Sequence, residues 1–196
     1  VQRGALLYAP FLPFDGMNEY GLAVGMAAVP PGGMLPDPDK ATIGSLMVIR
    51  QMLDHARDVD EALTLLGSYN IDIGGGPPLH YLIADRSGRS VLAEFYQGRM
   101  EVIPSQVPWH LATNFLRASA GKSAQGRCWR YDTISQRLTA AEGRISPQEA
   151  IDLLAEVSQP STQWSIVYEM SSGDVNVTIG RQYEDLHAFH LRLAEE

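Results

Sequence analysis

Phe14-Asp15-Gly16-Met17-Asn18-Glu19-Tyr20-Gly21-Leu22-Ala23 is a polar knot between two apolar runs, Ala5 to Tyr8 and Leu22 to Val29. Short Asp and Asn side chains bond readily to nearby backbone, and Pro10, Pro13 and Asp15-Gly16 interrupt the chain, so two strands around a turn are expected. Pro30 to Asp39 is rich in Pro and Gly and reads as a loop. From Ile43 the apolar residues Ile43, Leu46, Met47, Ile49 and Leu53 follow helical spacing. Asp58 and Glu61 then have the spacing of a capping box for a second helix carrying Val59, Ala62, Leu63 and Leu66. This helix pair is expected to cover one face of a sheet.

Further along, the Gly74-Gly75-Gly76-Pro77-Pro78 break precedes Leu79 to Ala84 and Ser90 to Tyr96, which flank the turn-forming Asp85-Arg86-Ser87-Gly88. That pattern predicts a hairpin. Met100 to Ile103 and Trp109 to Asn114 are two more strand-like runs, and a helix is expected from about Arg127 to Ala140. Ser146, Pro147 and Glu149 supply the N-cap, first-turn proline and capping-box partner of another helix. Trp164 to Met170 and Val175 to Ile179 close around Ser171-Ser172-Gly173-Asp174, with period-two alternation at Val175, Val177 and Ile179, giving a last hairpin. Two sets of strands with helix pairs covering them suggest stacked sheets between helical layers, an α+β class.

The 196 residues, 45% hydrophobic, suit one core, so a single domain over 1–196 is expected. A net charge of −8 and a pI near 5.1 argue against nucleic-acid and anionic-membrane partners. The apolar run Gly21 to Val29 is too short to span a bilayer, and no charged-then-apolar leader opens the chain, so a soluble, cytoplasmic protein is expected. With Cys128 as the only cysteine, an internal disulfide and a cysteine-cluster zinc site are excluded. Gly74 to Gly76 lacks the Lys-Ser of a phosphate loop. His187 and His190, three apart on a strand, point to opposite faces and have no partner at ligand spacing. No metal and no cofactor are expected. His80 reads as an interior or rim histidine, and the three tryptophans as core or pocket wall.

Asp15 to Leu22 resembles the D-G-M-N-E-x-G-L signature of the N-terminal-nucleophile linear amide hydrolases, the group of penicillin V acylase, bile salt hydrolase and isopenicillin N acyltransferase. Further matches follow in order. Leu79 to Asp85 with Ser90 to Phe95 is similar to the family's central hairpin. Thr113-Asn114 resembles its T-N pair, Gly126-Arg127 through Asp132 its S-R-x-x-R helix start, and Gln163 to Tyr168 its penultimate strand. The resemblance implies a four-layer αββα sandwich, incomplete at its N-terminus, and hydrolysis or acyl transfer at a linear amide C–N bond of a small-molecule N-acyl amide. In that mechanism an N-terminal cysteine, freed by removal of everything before it, uses its own α-amine as base. Asn114 is implied as the oxyanion donor and Arg127 as the cation beside the nucleophile. Read without the resemblance, Asn114 ends a strand and Arg127 is a solvated first-turn residue.

Two departures qualify the resemblance. The family's nucleophile lies upstream of the Asp15 segment, and Val1, Gln2 and Arg3 offer no substitute, so the chain is expected to be inactive alone. Cys128 cannot replace it, because its amine is locked in a peptide bond. At Ala28, where bile salt hydrolases place an asparagine, only a backbone N–H is available for the oxyanion. Ala28, Asn18 and Trp109 are the candidate substrate-binding residues. The rival reading is a non-catalytic binding module or structural relic that kept the fold and lost the nucleophile. A missing hairpin would bare sheet edges, so a homo-oligomer is also expected.

Overall fold

The computed structural model describes residues 7–120 and 124–195. Its main sheet has five strands, β1 (Asp15–Met17), β2 (Ala23–Ala28), β5 (Leu79–Ala84), β6 (Ser90–Tyr96) and β7 (Arg99–Pro104), in the order β1-β2-β5-β6-β7 with every pair antiparallel. A second sheet runs β10-β9-β8, from β8 (Trp164–Tyr168), β9 (Asp174–Ile179) and β10 (His187–His190). Between β2 and β5 in sequence, β3 (Ala41–Gly44) and β4 (Tyr69–Asp72) form a short parallel pair. The four α-helices among the described residues are α1 (Met47–His55), α2 (Val59–Gly67), α3 (Trp129–Ala140) and α4 (Pro147–Glu156). None of the helices is long and apolar enough to cross a membrane, among the described residues.

The main sheet uses its two faces differently because strand side chains alternate. Tyr81, Ile83, Val91 and Ala93 point to one face, where they meet Val48, Ile49 and Met52 of α1 and Val59, Ala62 and Leu66 of α2. Burial of each large side chain there stabilises the fold by about 1.5–3 kcal/mol. The Tyr81 hydroxyl donates to the Ser45 carbonyl at 2.9 Å, and burial pushes this phenol well above the ordinary tyrosine range. His80 and Glu94, on the same two strands, point to the opposite face and are wholly buried.

Caps at the helix starts follow the sequence. Asp58 accepts from the Glu61 N–H, while Glu61 reaches back to the Arg57 N–H, one residue earlier than the simple box. Ser146 and Glu149 form the expected reciprocal capping box at α4. Asp85, in the turn of the β5–β6 hairpin, accepts from the Val59 N–H and so fastens the start of α2 to the sheet. The two sheets meet at their edge strands. Asp15 of β1 accepts from Trp164 Nε1 at 2.9 Å and from the Tyr168 hydroxyl at 2.6 Å, both on β8. Gly21 has φ +73° and its α-carbon lies against the Met170 carbonyl, so a side chain there would be both strained and obstructed.

Three sequence expectations are corrected. The expected strand Ala5 to Tyr8 lies partly outside the described residues; Leu7 and Tyr8 are helical and lead into a 3-10 turn at Ala9–Phe11, while the strand begins at Asp15. The helix expected from Ile43 begins instead at Met47, because Ile43 pairs with Ile71 across β3 and β4, a pair that helical spacing concealed. Trp109 to Asn114 is irregular, with a bend at Asn114, and belongs to no ladder among the described residues.

Candidate active site

The segment that carries Asn114 is held in place by a buried carboxylate rather than by strand pairing. Glu94 Oε1 accepts from the Arg117 N–H at 2.9 Å, and Oε2 accepts from the Ala118 N–H at 2.8 Å. His80 Nδ1 lies 2.8 Å from Glu94 Oε1 and serves as a third donor to the carboxylate. Burial pushes the Glu94 acid up, but His80 and the two backbone donors outweigh it and hold it below the usual carboxylate range. His80 Nε2 is buried with no partner among the described residues. Arg117 adds a second tie through its side chain, donating to the Tyr131 hydroxyl at 2.6 Å on α3 with the guanidinium stacked over the Tyr131 ring.

Asn114 emerges from this clamp as an exposed, oriented amide. Its Oδ1 accepts from Arg130 Nη2 at 2.6 Å, and its Nδ2 donates to the Ala28 carbonyl at 2.8 Å. Arginine has only donors, so the oxygen must face Arg130 and the NH₂ must face β2. One of the two Nδ2 hydrogens is taken by Ala28, which leaves the other for a second acceptor.

Among the described residues, the edge of β2 beside it is open. Val29 donates its N–H to Pro78 on the β5 side, so by alternation the Ala28 N–H and C=O point the other way. Strand β1 lies on that side but pairs only with Ala23, Val24 and Gly25. The Ala28 N–H therefore lies on the same edge as the carbonyl that Asn114 binds, an edge with no strand partner among the described residues.

The remaining candidates fall elsewhere. Arg127 is exposed and makes no hydrogen bond or ion pair with Asn114; the arginine that reaches Asn114 is Arg130, one helical turn further on. Asn18 is buried, and all of its bonding is structural. Its Nδ2 donates to the Leu53 and Ala56 carbonyls at 3.1 and 2.7 Å, and its Oδ1 accepts from the Tyr20 and Leu22 N–H groups. That leaves no polar atom for a substrate and makes Asn18 the pin between the β1–β2 turn and the end of α1. Trp109 lines a cleft of about 520 Å³ with Val107, His110 and Arg117, which Asn114 does not line. His190 and His187 pair with Asp174 and Asp185, and no cluster of three or more His, Cys, Asp or Glu residues is placed to hold a metal among the described residues.

Glu94, His80 and Arg130 are the residues that the sequence did not single out for this site. The signals for the first two were a glutamate and a histidine on strands whose alternate positions are apolar. For Arg130, the signal was its position three residues after Arg127.

Comparisons with known proteins bear on the fold and the family. The model of the choloylglycine hydrolase family of linear amide C–N hydrolases matches residues 5–114, from before the Asp15 segment to Asn114 itself. A mutant of conjugated bile acid hydrolase from Clostridium perfringens superposes with a TM-score of 0.68 at 17% identity, covering 91% of this chain and 72% of that one. A second variant of the same enzyme gives 0.67 at 16%, with 90% and 72% covered. Penicillin V acylase from Agrobacterium tumefaciens gives 0.63 at 20% identity, covering 87% of this chain and 63% of that one. At these identities the superpositions speak for a shared mixed α+β fold, and the family match takes in more than half of the sequence: the chain belongs to the choloylglycine hydrolase family of linear amide C–N hydrolases.

Proposed function

We propose that this chain provides the oxyanion-binding part of an amide hydrolase or acyltransferase whose cysteine nucleophile lies outside residues 1–196. The single observation that carries the reading is the pairing of Asn114 with Arg130 and Ala28. A donor-only guanidinium sets the amide so that its NH₂ faces an open strand edge, where the Ala28 N–H is a second donor. A side-chain donor and a main-chain donor on one strand edge are the groups that a tetrahedral oxyanion needs, and each is worth about 3 kcal/mol of barrier. Because Asn114 is already fixed by Arg130 and the Glu94 clamp, little reorganisation is required when charge develops.

In this scheme the cysteine thiolate, deprotonated by its own α-amine, attacks the carbonyl carbon of an N-acyl amide. The amine leaves with the proton, and water or a second amine takes the acyl group. Arg130 acts through Asn114 and is a positioning residue. Arg127, exposed at the entry to α3, remains the candidate for the cation beside the nucleophile. The architecture we infer is the four-layer αββα sandwich, with α1 and α2 outside the main sheet and α4 outside the β8–β10 sheet; it forms one domain. The open β2 edge and the exposed Leu7, Tyr8, Phe11 and Phe14 support self-association or coverage by further chain.

The test is turnover of N-acyl amides, with conjugated bile acids and penicillin V as probes, by the complete gene product and by residues 1–196 alone. The complete protein is expected to release the amine, and Asn114→Ala to lower kcat about 10²- to 10³-fold. The 196-residue chain is expected to be silent. Turnover by that chain alone, or no turnover by the complete protein on any N-acyl amide, would refute the reading; the latter result favours a binding module.

A further inference from the structure

The cleft of about 520 Å³ that Trp109 lines has a charge unlike that of the molecule around it. The chain carries a net charge of −8, yet among the described residues no carboxylate lines this cleft, and its one fixed charge is Arg117. Clefts of about 420, 630, 230 and 290 Å³ elsewhere on the surface each include at least one carboxylate. Arg117 is half-buried and held still: Nη1 donates to the Tyr131 hydroxyl at 2.6 Å, and the guanidinium carbon lies over that ring, 5.2 Å from its centroid. Among the described residues no carboxylate pairs with the guanidinium, and its other N–H groups have no acceptor. An arginine already fixed, with donors unused, suits a carboxylate ligand, because its planar fork matches the two oxygens and loses little freedom on binding. His110 stands in the same wall. Its Nδ1 lies 3.2 Å from the Ser90 hydroxyl, and burial first, then the Arg117 charge, hold the ring below the ordinary histidine value. It is therefore neutral at pH 7 and can hydrogen-bond without adding charge. Much of the remaining wall is apolar, from Ile103, Val107, Leu111 and the Trp109 indole.

We propose that this cleft is a binding site for a small monocarboxylate with an apolar body, of the arylacetate type, its carboxylate on Arg117 and its body against Trp109 and Leu111. The volume is within the range of small-molecule sites, and the wall has the composition of one, mostly apolar with a few polar groups that fix orientation. A cationic ligand is disfavoured by Arg117, and a neutral one leaves the guanidinium donors unmatched. A dicarboxylate finds only one fixed cation. Neither Asn114 nor Arg130 lines the cleft, and the inference does not rest on turnover at Asn114.

The experiment is calorimetric titration of the complete protein at pH 7 with phenylacetate, and with phenylacetamide as its neutral counterpart, while NMR follows the His110 ring. Saturable binding of phenylacetate is expected, about tenfold tighter than that of the amide, the margin that a charge-assisted hydrogen bond supplies. Arg117→Gln should weaken it about tenfold. Gln106→Glu, an exposed change on the cleft wall that leaves Arg117 and its ties in place, should weaken it several-fold by repulsion. The titration midpoint of His110 should rise on saturation, because the bound acid offsets the Arg117 charge that lowers it. No saturable binding, equal affinity for acid and amide, or an affinity untouched by Gln106→Glu would overturn the proposal. So would a loss in Arg130→Gln with none in Arg117→Gln, which would place the acid beside Asn114.

Discussion

The two faces of the main sheet are built from the same strands and do opposite jobs. On β5 and β6, Tyr81, Ile83, Val91 and Ala93 enter an apolar core against α1 and α2, while His80 and Glu94 face away, Glu94 holding backbone N–H groups and His80 holding Glu94. The apolar face is secured by area, so it tolerates change in proportion to the volume lost. The polar face is secured by a few directed bonds, so one atom matters there. This division explains how an exposed loop can present Asn114 in a fixed pose. The rigidity comes from Glu94 underneath it and from Arg130 beside it, while the stability of the whole comes from the other side of the sheet.

The sharpest break in this comparison comes from Tyr81→Ala. Loss of a buried aromatic ring from the helix face is expected to cost about 3–5 kcal/mol in denaturant melts. At a temperature where the variant is still folded, the bond between Asn114 and Arg130 should persist, read as an unchanged NMR shift for the Asn114 amide; a shifted amide would mean the two faces are not independent.

Asn18→Ala should come next, at about 3 kcal/mol, since four backbone groups lose their partner at once. Its loss should appear as faster hydrogen exchange at the end of α1 and in the β1–β2 turn, with the Glu94 clamp unaffected. Binding of an N-acyl amide that depends on Asn18 while stability stays unchanged would return it to the substrate-binding residues.

Glu94→Gln is expected to be smaller, about 1–3 kcal/mol at pH 7, and to carry a pH signature. The folded carboxyl titrates below its ordinary 4.5, so its contribution is complete above that value and is lost as pH falls through the depressed one. Wild type and Glu94→Gln should therefore differ at neutral pH and converge in acid, as measured by melts across the pH range. A constant gap down to the acid limit would show that the carboxylate charge is not what holds the Asn114 segment.

What the sequence revealed depended on how local the physics was. The capping box at Ser146 and Glu149 and the alternation in β9 were legible because neighbours a few residues apart decide them. Asn114 was legible only through resemblance, since nothing in Ala112-Thr113-Asn114 itself distinguishes an oriented amide from a strand end. The partner arginine was harder: Arg127 and Arg130 are one turn apart, and which of them reaches Asn114 depends on how α3 starts after Cys128. Ile43 fits a helical stripe and a strand equally well, and only its distant partner Ile71 decides between them. Trp109 to Asn114 has the composition of a strand, yet Glu94 claims the backbone that follows it, so this segment is held by a side chain and by no ladder among the described residues.

The most direct test of the central claim, that Arg130 acts only by aiming the Asn114 amide at an oxyanion, is a double-mutant cycle on kcat in the complete protein. Arg130→Gln is expected to lower kcat on an N-acyl amide by about tenfold with KM little changed, and to have no further effect once Asn114 is alanine. Additive losses from the two substitutions, or full activity in Asn114→Ala, would contradict it.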